Sequence, residues 1–503
     1  MTLDTFSQRL TSLWLGHLTP EKGVLKMNSL MEKIVSLCKR RGFIFPSSEI
    51  YGGIGGFWDW GPLGVLLKNN LKTLWWKEMV QERNDIFGLD ASIIMNPKVW
   101  EASGHTTAFT DPLVDCRKCK RRFRADHLVE KLAKEEEGVT TSADIEKLKE
   151  ALTKVKCPVC GGELTEVRKF NLLVPTYLGV VEDEKAKTYL RGETCQGEYV
   201  DFKLVLETMR AKIPFGIAQI GKAFRNEITY GDFVFRSREF EQMEMQWFCQ
   251  PPQIIHKLKT NSSRIKTPAE WFNFWSKERM RWYEGILPKK NFRFRKHKKE
   301  EMPHYAKDAG DIEYKTPFNF KEFEGIHNRG DWDLLRHSKY SGKDLSYFDE
   351  DLGQSYIPWV IETSAGVDRL TLMVLLDSYQ EFKGGRTITT KATKEVEIAL
   401  ALPKALAPIK VAVLPLIKKE KKLVDKAVEI HREIKPHFMT QYDEVDSIGR
   451  RYRRQDEIGT PYCVTIDFET LKAHSVTVRD RDTMAQDRIK IKELVSYLKE
   501  KLK

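Results

Sequence analysis

Residues 217–248, IAQIGKAFRNEITYGDFVFRSREFEQMEMQWF, contain two strand-like runs on either side of a polar loop. The loop includes Gly231, and the pattern predicts an antiparallel pair of strands joined by a long turn. Side chains alternate between the two faces of a strand, so we expect Arg225 and Glu227 to share one face of the first strand. The matching face of the second strand would carry Arg238, Phe240, Gln242 and Glu244.

This predicted surface has two interpretations. A solvated sheet face with ion pairs would account for the charged side chains, but it would not require Phe240 between charged neighbours. A nucleotide needs arginine for its phosphates, an aromatic plane for its base and a hydrogen-bonding group for the base edge. The combination of residues therefore favours a nucleotide site over a solvated face.

Length and composition exclude several classes of protein. The 503 residues are 41% hydrophobic and 31% charged, which predicts about three domains with their own cores rather than one small module or a disordered chain. No stretch approaches the ~18 consecutive apolar residues of a membrane-spanning helix, and residues 1–30 lack a basic segment followed by an apolar block. We therefore expect a cytoplasmic protein. The net charge of +12 favours a polyanionic partner.

Other segments differ in pattern along the chain. Residues 62–83 predict a long helix with Pro62 at its first position. Residues 250–310 hold 15 Lys and Arg against 6 Asp and Glu, interleaved with aromatic residues, and fit either a solvated loop or a nucleic-acid contact. Beyond residue 395, the strand-like runs IKVAVLPL, YCVTIDF and HSVTVRD alternate with helical patterns at 419–435 and 491–503, which indicates a separate α/β domain.

Four of the eight cysteines form two CxxC pairs, Cys116 with Cys119 and Cys157 with Cys160. Eight cysteines are too few for a disulfide scaffold in a chain of 503 residues. Two CxxC pairs together can complete a four-sulfur structural Zn²⁺ site, and the charged segment between them can loop out. Redox chemistry and unligated thiols are the alternatives.

Several motifs together carry a family resemblance. FRNE (224–227), followed by a loop and REFEQME (238–244), resembles the second signature motif of class II aminoacyl-tRNA synthetases, in the form found in glycyl-tRNA synthetases. VIETSAGVDRLTLMVLL (360–376) resembles the third motif, and PLGVLLKNNLKTLWW through NPKVWEASGH resembles the first. YGGIGGFWDWGPLG, FRADHL, DIEYKTPF, GRRYRRQDEIGTPYCV and VTVRDRDTM are also similar to segments of that family. The resemblance covers nearly everything from about residue 28 to residue 495.

The resemblance implies an α+β, multidomain fold. A class II antiparallel β-sheet core flanked by helices would occupy 28–390, and a C-terminal α/β anticodon-binding domain would occupy 395–503. The core would carry a four-cysteine zinc-type insertion at 113–170 and a basic tRNA-contacting insertion at 250–310, with 1–27 as an N-terminal extension. The first motif forms the dimer seam in that family, so the resemblance also implies a homodimer.

The implied reaction joins glycine to ATP, giving glycyl-adenylate and pyrophosphate, and then transfers glycine to the 3′ end of tRNA(Gly). Arg225 would grip the α-phosphate of ATP, Glu227 would meet the adenine edge, Phe240 would stack on the base, and Arg369 would lie near the γ-phosphate. Mg²⁺ would bridge the phosphates, with Glu313 and Glu322 as candidate ligands. The implied ATP-binding residues are Arg225, Asn226, Glu227, Phe235, Arg236, Ser237, Arg238, Glu239, Phe240, Glu322, Phe323, Gly366, Val367, Asp368 and Arg369.

The implied glycine site is rich in carboxylates. Glycine offers only an ammonium, a carboxylate and two hydrogens, so its recognition must use the ammonium and deny space to a β-carbon. The implied glycine-binding residues are Arg124, Glu193, Phe240, Glu241, Gln242, Met243, Glu244, Glu362, Thr363, Ser364, Ala365 and Gly366. The chain departs from the family where Gly192, Glu193, Thr194 and Cys195 replace the usual Pro-Glu-Thr-Ala, which puts glycine affinity in question.

Three alternatives compete with this interpretation. An enzyme of the same class that charges another amino acid would be expected to lose the glutamates around the ammonium, and all of them are present. A synthetase-like nucleic-acid-binding protein without aminoacylation activity would be expected to lose the ATP arginines, yet Arg225 and Arg369 both remain. A zinc-ribbon protein that binds nucleic acid and has no enzyme core would account for the cysteines but would leave 217–248 and 356–376 unexplained.

Overall fold

A computed structural model describes residues 29–129, 145–258, 265–302, 305–386 and 396–503. The expected N-terminal extension 1–27 and the border between the two predicted large domains at 390–395 lie outside the described residues, as do parts of both predicted insertions. The described residues divide into two compact units, one within 29–33 and 110–170 and one within 34–109 and 171–503.

The helices and strands of the described residues are numbered in chain order. The helices are α1 (Ser29–Arg41), α2 (Pro62–Trp76), α3 (Pro97–Ala102), α4 (His105–Ala108), α5 (Ile145–Leu152), α6 (Cys195–Val200), α7 (Phe202–Thr208), α8 (Pro252–Leu258), α9 (Pro268–Glu284), α10 (Trp332–Ser341), α11 (Val367–Ser378), α12 (Lys421–Ile434), α13 (Ile448–Ile458), α14 (Phe468–Ala473) and α15 (Leu494–Lys501). The strands are β1 (Ile44–Pro46), β2 (Trp58–Trp60), β3 (Ile86–Leu89), β4 (Thr110–Asp115), β5 (Arg122–Arg124), β6 (Arg168–Asn171), β7 (Val174–Tyr177), β8 (Lys187–Leu190), β9 (Phe215–Phe224), β10 (Glu239–Cys249), β11 (Phe292–Lys296), β12 (Asp308–Thr316), β13 (Asn319–Gly330), β14 (Tyr347–Asp349), β15 (Gln354–Tyr356), β16 (Trp359–Gly366), β17 (Tyr379–Lys383), β18 (Val396–Leu400), β19 (Val411–Pro415), β20 (Thr440–Tyr442), β21 (Tyr462–Ile466), β22 (Ser475–Asp480) and β23 (Gln486–Lys490).

A seven-stranded sheet forms the centre of the larger unit, in the order β11-β12-β13-β16-β10-β9-β3. Its neighbouring strands are antiparallel except β3 and β9, which are parallel. The predicted antiparallel pair is confirmed as β9 and β10, and the predicted strand before the third motif is confirmed as β16, which leads directly into α11. The two strands β10 and β16 are neighbours, so the second and third motifs meet in the middle of the sheet.

The helix predicted over 62–83 begins at Pro62. Proline is well tolerated there, because a backbone N–H at the first helical position would have no intrahelical acceptor. It runs to Trp76 as α2 and continues as a π-helical turn over Lys77–Gln81. Leu67, Leu71 and Trp75 are buried on one face of α2, as the apolar spacing predicts.

The basic segment 250–310 is less separate from the core than an insertion would be. Helix α9 starts with a capping box of Thr267 and Glu270, and its Phe272 and Trp275 are buried. Strand β11 is the outer strand of the seven-stranded sheet and pairs with β12. The buried aromatic residues of the described part therefore belong to the core, as does Arg279, and the exposed lysines and arginines supply the basic surface.

The C-terminal region has its own five-stranded sheet, in the order β20-β19-β21-β22-β23, with α12 packed against it. Strand β19 is parallel to β20 and β21, whereas β21, β22 and β23 are antiparallel. The predicted helices at 419–435 and 491–503 are found as α12 and α15, with ends that differ by a few residues. The α/β composition predicted beyond residue 395 is confirmed for the described residues.

The smaller unit holds the three-stranded sheet β5-β4-β6 and helix α5. Its core consists of Val114, Ala125, Val129, Leu148 and Leu152. Across the parts of the chain that the structure describes, none of the helices combines the length and the apolar character that crossing a membrane would demand.

Candidate active site

A cleft opens on the seven-stranded sheet where β10, β13 and β16 lie side by side. Most of the residues proposed from the family resemblance line this cleft: Glu193, Arg225, Glu227, Phe235, Arg236, Ser237, Phe240, Glu241, Gln242, Glu244, Glu322, Phe323, Glu362, Ser364, Gly366, Asp368 and Arg369. The same cleft is lined by Val234, Tyr305, Gly325, His327 and Arg329, which sequence reasoning did not single out.

Other proposed residues do not line the cleft: Asn226, Arg238, Glu239, Met243, Thr363, Ala365 and Val367. Met243, Thr363 and Ala365 are buried on the opposite face of their strands, because alternate side chains point away from each other. Arg238, the residue before β10, donates through Nη1 to the carbonyl of Gly55 at 3.2 Å and so holds this point of the chain against the loop between β1 and β2. Arg124 lies in the smaller unit, where its Nη1 donates to Asp111 Oδ2 at 2.7 Å.

Arg225 and Glu227 follow β9 instead of sharing one of its faces, so that expectation is wrong. The strand ends at Phe224, and the Glu227 N–H donates to the Arg225 carbonyl at 2.7 Å, which turns the chain out of the ladder. Arg225 Nε donates to the Gly192 carbonyl at 3.0 Å, and its guanidinium lies 5.2 Å from the ring centre of Phe240. The turn therefore brings a cation and an aromatic ring together at the cleft, as a nucleotide site requires.

Glu227 is held at the same end of the cleft by Arg236, whose Nε donates to Glu227 Oε2 at 2.8 Å. The opposite side of this end is formed by Arg369, the third residue of α11. Arg369 Nε donates to the Phe235 carbonyl at 3.1 Å, and its guanidinium lies 4.7 Å from the Phe235 ring. Two arginines on different elements, Arg225 and Arg369, thus face one cleft.

Glu244 lies at the other end of the cleft and is 2% exposed. It is directly opposite Ser364 in the pairing of β10 with β16, and Ser364 Oγ and Thr194 Oγ1 both donate to its carboxylate. Gln242 Nε2 donates to Glu244 Oε1 at 2.9 Å. Burial, together with the nearby charges of Glu362 and Glu193, raises the pKa of Glu244 to about 7. Ser364 thus contacts Glu244 and does not cap α11, whose first turn has no side-chain cap.

Glu362 is stabilised in its charged form by two basic residues of β13. Arg329 Nη1 donates to Glu362 Oε2 at 3.1 Å, and His327 Nδ1 lies 3.0 Å from the same oxygen. Burial alone would raise the pKa of Glu362, but Arg329 and His327 outweigh it and lower the pKa to about 2. Arg329 is itself fixed by Asp333, to which its Nε donates at 2.7 Å. The run HNRG after an alternating strand pattern is the one sequence signal for these two residues.

Glu193 is the third carboxylate at this end. Its Oε1 accepts from Gln196 Nε2 at 2.9 Å and from the Cys195 thiol at 3.0 Å, and His105 Nε2 lies 3.3 Å away. Burial opposes ionisation, but His105 and then Arg329 hold the pKa of Glu193 well below its ordinary value. Burial raises the pKa of the Cys195 thiol well above its ordinary value, so the thiol stays protonated and donates. The departure at Cys195 therefore adds a hydrogen-bond donor to Glu193.

The two proposed Mg²⁺ ligands differ in their surroundings. Glu322 lines the cleft, and Arg369 Nη1 is 3.7 Å from its Oε1. Glu313 does not line it: Arg293 Nε donates to Glu313 Oε2 at 2.9 Å, and Arg295 Nε donates to Oε1 at 2.7 Å. A carboxylate that already accepts from two arginines has little capacity left for a cation, so Glu322 fits the metal role better than Glu313.

The two CxxC pairs meet in the smaller unit. The sulfur atoms of Cys116, Cys119, Cys157 and Cys160 all lie within 4.8 Å of one another. The Cys119 N–H donates to Cys116 Sγ at 3.4 Å and lowers the pKa of that thiol to about 6. Sulfurs around a tetrahedral Zn²⁺ with bonds of about 2.3 Å would stand at similar separations, so this donor set fits a structural zinc ion.

A mainly antiparallel sheet with a cleft of arginines and carboxylates, together with a C-terminal α/β region, is the arrangement expected of an aminoacyl-tRNA synthetase. Residues 410–501 match the family model described as anticodon binding domain. The chain is 51% identical over 481 residues to a glycine--tRNA ligase of Caldanaerobacter subterraneus subsp. tengcongensis, covering 94% of this chain and 98% of the relative. It is 51% identical over 477 residues to that of Treponema denticola (94% and 97%) and 50% identical over 481 residues to that of Geobacillus kaustophilus (94% and 99%). The chain belongs to the glycine--tRNA ligase family.

Proposed function

We propose that this chain activates glycine with ATP, forming glycyl-adenylate and pyrophosphate, and then transfers glycine from the adenylate to the 3′ end of tRNA(Gly), releasing AMP. The observation that carries the proposal is the polarity of the cleft. In the pairing of β10 with β16, Glu244 and Glu362 lie away from α11, and Glu193 is next to Thr194, which donates to Glu244. Phe240, with Arg225 beside its ring, and Arg369 lie towards the start of α11. An amino acid bound by its ammonium at the first end would direct its carboxylate towards a nucleotide bound at the second.

In the proposed mechanism, the glycine carboxylate attacks the α-phosphate of ATP in line with the departing pyrophosphate. This step needs positioning and charge neutralisation more than a general base. Arg225 would neutralise the α-phosphate, Arg369 would hold the departing phosphates, and Phe240 would stack on adenine. A bound Mg²⁺ would supply further charge neutralisation, with Glu322 as its candidate ligand.

Selection of glycine would follow from the same carboxylates. Buried carboxylates attract an ammonium strongly, because the site excludes water that would screen the charges. Ser364, Thr194 and Gln242 hold Glu244 from several sides, so the carboxylate cannot move aside for a larger side chain. The expected result is exclusion of amino acids with a β-carbon.

The test is ATP–pyrophosphate exchange with purified protein, Mg²⁺ and each of the twenty amino acids separately. Exchange with glycine alone would support both the chemistry and the substrate. Exchange with another amino acid would overturn the substrate, and exchange with none, in protein that still binds ATP, would favour a synthetase-like binding protein without aminoacylation activity.

Glycine binding is expected to weaken as the pH falls. The carboxyl of Glu244 has a raised pKa of about 7, so it is charged above that pH and neutral below it. Only the charged form pairs with an ammonium, and the KM for glycine should therefore rise about 10-fold between pH 8 and pH 6. The KM for ATP should change little over this range. Steady-state exchange measured at several pH values checks the prediction, and Glu244→Gln should abolish the pH dependence.

We propose that the four-cysteine cluster holds one structural Zn²⁺. The purified protein is expected to contain about one zinc ion per chain. Cys160→Ser should lower both the zinc content and the melting temperature, because metal binding stabilises the folded state of the smaller unit. Atomic absorption and thermal unfolding check this. Cys463→Ala, which removes a buried thiol outside the cluster, is the matched control and should keep the zinc.

We also propose that tRNA contacts two regions of this chain: the domain that includes residues 410–501, and the basic surface along β11. The support for the second is the exposure of Lys289, Lys290, Arg293, Lys296, Lys298 and Lys299. A homodimer is proposed because 62–105 resembles the first motif, and because β3, which follows the helix of that motif, is an outer strand of the seven-stranded sheet. A cytoplasmic location is proposed from the tRNA substrate.

A further inference from the structure

Lys68 is a buried lysine on α2 that contacts two of the cleft residues at once. Its Nζ donates to Asp368 Oδ1 at 2.7 Å and lies 3.0 Å from Glu241 Oε2. The residue is 7% exposed, and its Nζ stands 4.4 Å from the ring centre of Trp60. Burial would lower the pKa of Lys68, but Asp368 and Glu241 outweigh it and raise the pKa, so the lysine stays charged.

In both acidic partners of Lys68, each of the two carboxylate oxygens already contacts another group of the protein. Asp368 Oδ2 accepts the backbone N–H of Glu241 at 2.7 Å, while Oδ1 accepts from Lys68. Glu241 Oε1 accepts from Lys72 at 2.8 Å, while Oε2 faces Lys68. These carboxylates therefore have little capacity left for a substrate, although both residues line the cleft.

The positions of these acids in the chain indicate what they hold in place. Asp368 lies in the first turn of α11, directly before Arg369, and Glu241 lies on β10, directly after Phe240. Arg369 and Phe240 are the groups proposed for the phosphates and the adenine base. A single ammonium thus joins α2, β10 and α11 behind the nucleotide end of the cleft.

We propose that Lys68 is a positioning residue for ATP: it fixes the first turn of α11 against β10, and so sets the separation of Arg369 and Phe240. The proposal rests on the proposed function. Lys68 does not line the cleft and acts only through Asp368 and Glu241. Because small displacements of groups that position a substrate are costly, loss of Lys68 should weaken ATP use specifically.

Lys72 provides a matched control, because it lies one turn further along α2 and also binds Glu241. Within the described residues, Lys72 has no ion pair with Asp368, and the Lys72 side chain is 23% exposed. The experiment compares Lys68→Met with Lys72→Met in ATP–pyrophosphate exchange with glycine, alongside calorimetric measurement of ATP affinity. Lys68→Met should raise the KM for ATP about 10-fold or more and leave the KM for glycine within about 2-fold. Lys72→Met should leave both within about 2-fold.

A double variant separates positioning from stability. Lys68→Met leaves the Asp368 carboxylate buried without its cation, which destabilises the fold. Lys68→Met with Asp368→Asn removes that unpaired charge, so it should regain melting temperature but keep the raised KM for ATP. Recovery of the KM together with the melting temperature would overturn the proposal, as would a normal KM for ATP in Lys68→Met or an equal effect of Lys72→Met.

If the unaltered protein shows no glycine-dependent exchange, the proposed function fails, and the calorimetric ATP affinities of the same variants still decide the role of Lys68.

Discussion

Replacing Arg225 with alanine is expected to reduce glycine-dependent ATP–pyrophosphate exchange by about 1,000-fold. The Arg225 guanidinium lies 5.2 Å from the centre of the Phe240 ring in the cleft, and its Nε donates to the Gly192 carbonyl. Negative charge builds up around the α-phosphate as the glycine carboxylate attacks, and a fixed guanidinium stabilises that charge without reorganisation. The loss should therefore appear mainly in the rate of adenylate formation.

Two further variants make this result specific. Arg225→Lys keeps the charge but loses the planar group with paired donors, so it should recover only part of the activity. Arg281→Ala removes an arginine that is 59% exposed on α9 and should leave exchange unchanged. Near-normal exchange in Arg225→Ala, in protein with an unchanged melting temperature, would exclude Arg225 from the phosphate role. Single-turnover measurement of adenylate formation gives the most direct readout.

The parts of the site that are predictable from the sequence are those governed by strand alternation. Residues two apart on β10, such as Gln242 and Glu244, line the cleft together, while Met243 between them is buried on the other face. The same rule places Glu362 and Ser364 of β16 in the cleft. The rule fails for Arg225 and Glu227 because β9 ends at Phe224, where a turn with a hydrogen bond from the Glu227 N–H to the Arg225 carbonyl begins.

The missed residues Arg329 and His327 come from β13, which contains none of the motifs that carry the family resemblance. They reach Glu362 because β13 pairs with β16, with His327 directly opposite Glu362. Pairing between strands that are distant in sequence is set by the whole sheet, so local periodicity carries no signal for it. Only the topology makes these two basic side chains neighbours of a buried carboxylate.

The arginines of the run at 450–454 differ widely in exposure, which the composition of the run does not reveal. Arg451 is 1% exposed, and its Nη2 donates to the Leu416 carbonyl at 3.1 Å. Arg454 Nη2 donates to Asp443 Oδ2 at 2.7 Å. Arg451 therefore stabilises the interior of the C-terminal region and Arg454 is half-buried in an ion pair, so a run of basic residues in that domain is not by itself a nucleic-acid surface.

Glu244→Gln is expected to raise the KM for glycine about 100-fold while leaving the KM for ATP within about 3-fold. The substitution keeps the shape of the side chain, and its amide oxygen can still accept from Ser364 or Thr194. It removes the charge that would pair with the glycine ammonium in a buried site, where the loss of one partner of an ion pair is costly. Steady-state exchange with glycine and ATP varied independently measures both constants.

Glu227→Gln is the reciprocal control at the other end of the cleft. Glu227 Oε2 accepts from Arg236, and the residue is proposed to meet the adenine edge, so its substitution should raise the KM for ATP and leave the KM for glycine unchanged. Opposite effects of this kind follow only if the two ends of the cleft bind different substrates. If Glu244→Gln raised both constants equally, the carboxylate would be maintaining the shape of the whole cleft, and recognition of the ammonium would have to be assigned to Glu193 and Glu362.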